Sequence, residues 1–167
     1  MDGRLKGIIG AVTLILAIGV YLAVPRGDDV FAVRVDGALV YALEPKGDFE
    51  VDYTHSVNKG GVREMYEFAQ DGESFRLIKG MFENFGAGMP DGMENSVGFG
   101  EEDGWLVLLF EGEPQTELYY IAGTESGHTL IYNGETYPLS ERFSGRSVTF
   151  SLSKVSPWDL ISARFYR

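Results

Sequence analysis

Phe49 to Phe82 reads FEVDYTHSVNKGGVREMYEFAQDGESFRLIKGMF, and two turn signals divide it into three short runs. Phe49, Val51, Tyr53, His55 and Val57 alternate onto one face, as do Val62, Glu64, Tyr66 and Phe68 in the second run. A period of two is the mark of a strand with one face buried. Asn58-Lys59-Gly60-Gly61 separates the first pair of runs and Asp71-Gly72 the second. Asp-Gly suits a two-residue hairpin turn, where both central residues need positive φ. The stretch therefore predicts a three-stranded antiparallel meander.

Closing the first hairpin with Val57 opposite Val62 makes paired residue numbers add to 119, which sets His55 opposite Glu64. Closing the second at Asp71-Gly72 makes them add to 143, which sets Phe68 opposite Phe75, Tyr66 opposite Leu77 and Glu64 opposite Lys79. The expected core face thus carries one polar row, His55–Glu64–Lys79, among apolar rows. A charge on a buried face needs a partner, and directly opposed side chains are close enough to supply one. The row is either a polar lock on strand register or part of a pocket near one end of the sheet. The opposite face, with Asp52, Glu67 and Arg76 beside Thr54, Met65 and Ile78, is expected to be partly solvated.

The same signals recur outward from this stretch. Asp36-Gly37 joins Phe31–Val35 to Ala38–Leu43, and Asn133-Gly134 closes a hairpin that sets His128 opposite Leu139 and Leu130 opposite Tyr137. No segment after residue 28 shows a helical period. The fold class is all-β: an antiparallel β-sandwich or barrel-like meander, preceded by one N-terminal transmembrane helix.

That helix is read from Gly7 to Val24, GIIGAVTLILAIGVYLAV, 18 residues without a charge. The length is at the lower end of what crosses a bilayer. Arg4 and Lys6 precede it, which favours a cytoplasmic N-terminus. A cleaved signal peptide is the competing reading, but the run is long for one and Leu22-Ala23-Val24-Pro25 offers no small-x-small site. Residues 1–27 are thus expected to be the cytoplasmic N-terminus and anchor, and residues 28–167 an extracytoplasmic β-domain on a single-pass protein of the cell membrane.

The 167 residues contain 14 Lys and Arg, 25 Asp and Glu, and no Cys. A net charge of −11 argues against nucleic acid as a partner. Absent cysteine excludes disulfides and thiol chemistry. Between Lys79 and Arg142 there are 12 acidic residues and no Lys or Arg, which suits a solvated acidic surface. Loose groups such as Asp91/Glu94/Asn95 and Glu101/Glu102/Asp103 lack EF-hand spacing.

Asn84 to Gly92 reads NFGAGMPDG. Its glycines permit a backbone nest that binds an anion, or simply a tight connection. It is neither a dinucleotide nor a phosphate loop motif, and no cofactor is expected. His55, Glu64 and His128 could form a two-histidine, one-carboxylate metal site only if their hairpins meet. Ser56 adjoins His55, but neighbouring strand residues point to opposite faces, and no nucleophile elbow is present.

Tyr53-Thr54-His55-Ser56-Val57, Val62-x-Glu64, Phe85-Gly86-Ala87-Gly88-Met89-Pro90, His128-x-Leu130 and Gly134-x-x-Tyr137-x-Leu139 occur in that order. Together they resemble the domain-of-unknown-function family 1850, over about residues 49–152. The resemblance implies a small prokaryotic protein with an N-terminal hydrophobic segment. It also implies an association with TRAP-type transporters of the TAXI subclass, which import carboxylates. The matching positions are His55, Ser56, Glu64, Gly86, Gly88, Pro90 and His128; Lys79 joins them through the register argument. The resulting expectation is a non-enzymatic accessory or binding module, with a membrane, TRAP transporter subunits and a small carboxylate as partners. The alternative is a small extracytoplasmic enzyme or metal-binding protein using His55, Glu64 and His128.

Overall fold

The computed structural model describes residues 3–70, 72–84 and 96–163. Helix α1 (Gly3–Ala23) leads into strands β1 (Arg26–Val35), β2 (Ala38–Leu43), β3 (Asp48–Thr54), β4 (Gly61–Phe68) and β5 (Phe75–Phe82). These are followed by β6 (Ser96–Glu102), β7 (Trp105–Phe110), β8 (Glu117–Ile121), β9 (Thr129–Tyr132) and β10 (Glu135–Pro138). Helix α2 (Leu139–Phe143), β11 (Ser147–Val155) and helix α3 (Pro157–Ala163) complete the order.

Two sheets form. The smaller runs β2-β1-β11-β8 and the larger β10-β9-β3-β4-β5-β7-β6. Every ladder between named strands is antiparallel. The expected all-β architecture is what the chain adopts.

The core lies between the sheets because each strand turns its alternate apolar residues inward. Phe31 and Phe150 from the small sheet meet Phe49 and Phe75 from the large one, all fully buried. The rings of Phe31 and Phe49 lie 4.6 Å apart across the sandwich, and Phe31 stacks on Phe150 at 5.8 Å. Such pairs add about 0.5–1.5 kcal/mol each beyond their area burial. Ala32, Leu39 and Val155 are also buried, although they face away from this core, because α3 covers them through Ala163.

The Asp36-Gly37 and Asn133-Gly134 turns carry the expected positive φ at both residues, and Asp103-Gly104 is another such turn. Leu130 pairs with Tyr137 as expected. On the outer face of the meander, Asp52 opposes Arg63, whose guanidinium grips it through two hydrogen bonds of 2.9 and 2.7 Å.

The His55–Glu64–Lys79 row does not form. Residue numbers paired between β3 and β4 add to 115, so Val51 opposes Glu64 and Tyr53 opposes Val62. The connection is six residues long because His55–Gly60 folds as a turn of its own. His55 N–H donates to Gly60 O at 2.8 Å, Lys59 N–H donates to His55 O at 3.1 Å, and Lys59 takes a φ of 58°. The displacement is an even number of residues, so the inward face is kept while each partner changes.

In the second hairpin, Phe68–Phe75, Tyr66–Leu77 and Glu67–Arg76 pair as expected, and then a β-bulge intervenes. Beyond it Met65 opposes Lys79 and Glu64 opposes Gly80. One extra residue on a strand reverses which side chains face the core. Lys79 therefore leaves the core face, and its Nζ lies 2.7 Å from Glu102 on β6.

Two short helices also occur where no helical period is readable. At five and seven residues they complete fewer than two turns or barely two, too little for periodicity to register. The start of α3 nonetheless has a local signature. Ser156 caps it, with Asp159 N–H donating to Ser156 Oγ at 3.1 Å and Ser156 N–H donating to the Asp159 carboxylate at 3.0 Å. Pro157 occupies the first helical position, where its missing N–H costs nothing.

Helix α1 has 21 residues and a mean hydropathy of 2.1, and none of it is buried. It is long and apolar enough to cross a membrane.

Candidate functional site

Glu64 is the inward-facing charge on β4, and its partners are tyrosines. Its Oε1 accepts from Tyr53 Oη at 3.2 Å, and its Oε2 accepts from Tyr66 at 3.1 Å and Tyr120 at 2.5 Å. The Tyr66 and Tyr120 oxygens lie 3.1 Å apart. Tyr53 stands on β3 and Tyr66 on β4 in the large sheet, whereas Tyr120 comes from β8 in the small one. The carboxylate thus ties the two sheets together at one end of the core. Gly80, opposite Glu64, contributes no side chain to compete for it.

Burial, followed by the nearby Glu64 charge, pushes the phenols of Tyr53, Tyr66 and Tyr120 well above their ordinary range. All three remain neutral donors at any physiological pH. A carboxylate receiving several donors in a poorly solvated place is a strong, fixed acceptor.

His128, in the connection from β8 to β9, stacks on Tyr53 with ring centroids 5.0 Å apart and lies 5.5 Å from the Tyr120 ring. Its backbone N–H donates to Ser140 Oγ at 2.7 Å. Its Nδ1 is buried without a hydrogen-bond partner among the described residues, and burial holds the imidazole below its ordinary pKa. A neutral ring is what such surroundings favour. His128 and Glu64 therefore share two tyrosines as neighbours.

His55 has a different place. It leaves the sheet after Thr54, and its Nδ1 accepts the backbone N–H groups of Val57 at 3.3 Å and Asn58 at 3.4 Å. This turn and the 123–126 segment border an open cavity of about 360 Å³. Thr54, His55, Ser56, Lys59, Thr124 and Ser126 line it. The two walls are joined by Thr54 N–H donating to Ser126 O at 2.7 Å and by a Lys59–Glu125 ion pair of 3.3 Å. That pair is largely exposed, at 62% and 86% of the side chains. The cavity is thus lined by hydroxyls and an imidazole, with the Lys59 cation and the Glu125 carboxylate paired at its edge.

The expected site residues separate into groups. His55 and Ser56 line the cavity; Glu64 and His128 belong to the tyrosine cage; Lys79 is engaged elsewhere. Gly86, Gly88 and Pro90, with the anion nest they suggested, lie outside the described residues. No group of three or more His, Asp or Glu able to hold a metal occurs among the described residues, so His55, Glu64 and His128 do not converge as one ligand set. The alternation of Glu117–Ile121 could have pointed Tyr120 inward, but nothing local marks it as the partner of a residue 56 positions away. The 123–127 segment, Gly-Thr-Glu-Ser-Gly, carries a readable turn signal that its hydroxyls make chemically useful.

The family model of the Domain of unknown function (DUF1850) matches residues 49–139, a span that includes the cage residues, both histidines and the 123–126 wall. No curated protein and no solved structure matches the chain.

Proposed function

The chain belongs to the DUF1850 family, and on that footing we propose that it is a membrane-anchored, non-enzymatic module that binds a small carboxylate outside the cytoplasm. In this reading α1 holds the N-terminus in the cytoplasm and residues 28–167 outside, and the module serves as an accessory to a TRAP-type carboxylate transporter. Arg4 and Lys6 before the apolar run agree with that orientation. The exposed, uncharged run of α1 from Gly7 onward supports anchoring.

The observation that carries the binding role is the cavity between His55–Lys59 and Thr124–Ser126. An exposed ion pair is worth only about 0–1 kcal/mol. An incoming carboxylate can therefore replace Glu125 on Lys59 at little cost and gain hydrogen bonds from the hydroxyls around it. The Tyr–Glu64 cage beneath holds β3 and β8, from which the two walls emerge, in fixed relation.

The test is NMR titration of the full chain in detergent micelles with succinate. Saturable shifts confined to residues 54–59 and 123–126, abolished by Lys59→Gln with the melting temperature unchanged, are expected. Shifts spread over the surface, or a Lys59→Gln variant that responds like the parent, would dismiss the site. Protease digestion of intact spheroplasts checks the orientation: the β-domain should be cut from outside.

A further inference from the structure

The last helix of the fold begins where the first one ends. Arg26, the first residue of β1, pairs with Val155, the last of β11. The chain leaves α1 at Ala23, three residues before Arg26, and enters α3 at Pro157, two residues after Val155, and α1 and α3 approach each other. One face of α3 is committed to the domain. Ala163 is buried against Ala32, Leu39 and Val155, and Asp159 lies 3.8 Å from the Arg34 guanidinium. The other face is open and apolar: Trp158 is 59% exposed, Leu160 45% and Ile161 44%. Trp158 and Ile161 are three residues apart and so share a side of the helix.

We infer that α3 lies in the interfacial layer of the same bilayer that α1 crosses, with Trp158, Leu160 and Ile161 facing the lipid. This rests on the reading of α1 as a membrane anchor. The occupant is fixed by position: an apolar face beside the exit of a spanning helix meets lipid before it meets any other partner. The side chains also suit that layer. Tryptophan and tyrosine concentrate at membrane–water boundaries, and Tyr21 stands near the end of α1 with the Arg26 guanidinium 3.9 Å over its ring. Such a cation over an aromatic ring, at the point where the chain emerges, keeps the charge at headgroup level. With α1 and α3 both engaged, the small sheet is held at two adjacent points. The β-domain is then oriented on the membrane surface instead of swinging from a single tether.

The absence of cysteine makes the test direct, since one introduced thiol carries the only label. Nitroxide-labelled Leu160→Cys, Leu14→Cys and Tyr119→Cys variants of the full chain are placed in phosphatidylcholine vesicles, whose neutral surface excludes charge attraction. Leu14 lies in the middle of α1, and Tyr119 is exposed on β8 at the far edge of the small sheet. Collision with oxygen relative to a water-soluble nickel complex reports depth. The expected order is Leu14 deepest, Leu160 at headgroup depth and Tyr119 in water, with the oxygen-to-nickel ratio at 160 several-fold above that at 119. A label at 160 as wet as the one at 119, with 14 still deep, would overturn the placement of α3 and leave the anchor standing. A label at 14 that is itself in water would remove the anchor and this inference with it. Trp158→Cys, on the same open face, repeats the measurement should the Leu160 label disturb the helix.

Discussion

Replacing Glu64 by glutamine keeps the side-chain shape and removes the charge that three phenols address. In the parent, Tyr53, Tyr66 and Tyr120 donate to the carboxylate at 3.2, 3.1 and 2.5 Å. In the variant, one oxygen becomes an amide NH₂ that cannot accept, and whichever phenols it faces lose their acceptor. Hydrogen bonds to a charged group contribute about 1.5–3 kcal/mol and neutral ones about 0.5–1.5 kcal/mol. A loss of about 1 kcal/mol at each of three phenols, discounted because Glu64 is only half-buried, leaves roughly 2 kcal/mol. For a domain of this size each kcal/mol moves Tm by about 3–4 °C, so Glu64→Gln should melt about 6–8 °C lower. Near-UV circular dichroism is the assay, because the tyrosines themselves report the melt. Glu67→Gln is the matched control: Glu67 pairs with Arg76 on the outer face, with both side chains about half-exposed, and its loss should be worth under about 1 kcal/mol. A Glu64→Gln shift no larger than that of Glu67→Gln would refute the argument that the cage holds a charge and clamps the sheets.

Three further expectations follow from the same geometry. The raised phenol pKa values mean that the unfolded chain loses protons above about pH 10 while the folded cage does not, so this stabilisation is full below that pH and falls as pH rises. Alkaline titration at 295 nm should show Tyr53, Tyr66 and Tyr120 ionising only with unfolding, and independent ionisation of all nine tyrosines near pH 10 in the folded protein would contradict it. His128 has the opposite sign: burial lowers its pKa, so its neutral form is favourable above the unfolded value of about 6.5, and stability falls as pH drops below that value. His128→Leu should flatten the stability profile between about pH 7 and 5, measured by urea unfolding, and an unchanged slope would rule that out. At Gly112 a Cβ would lie 2.6 Å from Leu77 O and 3.0 Å from Leu77 N, both backbone atoms that cannot move aside. Gly112→Ala should therefore cost about 1–3 kcal/mol in the same unfolding assay, and a neutral result would show that the β7–β8 connection shifts freely.

Period-two alternation and turn dipeptides determined the sheet character, the inward faces of β3 and β4 and several hairpins from the sequence alone, but not the face of β5 beyond its bulge. Both signals are local: side chains alternate because of backbone geometry, and Asn-Gly or Asp-Gly turns satisfy their own φ requirements. The apolar run that became α1 was legible for the same reason, as was the presence of one carboxylate, Glu64, on an otherwise apolar face. Which side chains meet that carboxylate was decided by tertiary structure. The turn at His55–Gly60 and the bulge between Met65 and Tyr66 shifted the partners on either side of β4. A histidine whose Nδ1 satisfies its own turn has the same one-letter code as a histidine that continues the ladder. Tyr120 arrives from the other sheet, and Thr124–Ser126 reaches the His55 turn only because β8 and β3 lie at one end of the sandwich. Pattern in the sequence sets the direction a side chain faces only along an unbroken ladder; the bulge in β5 and the packing of the two sheets decided the rest.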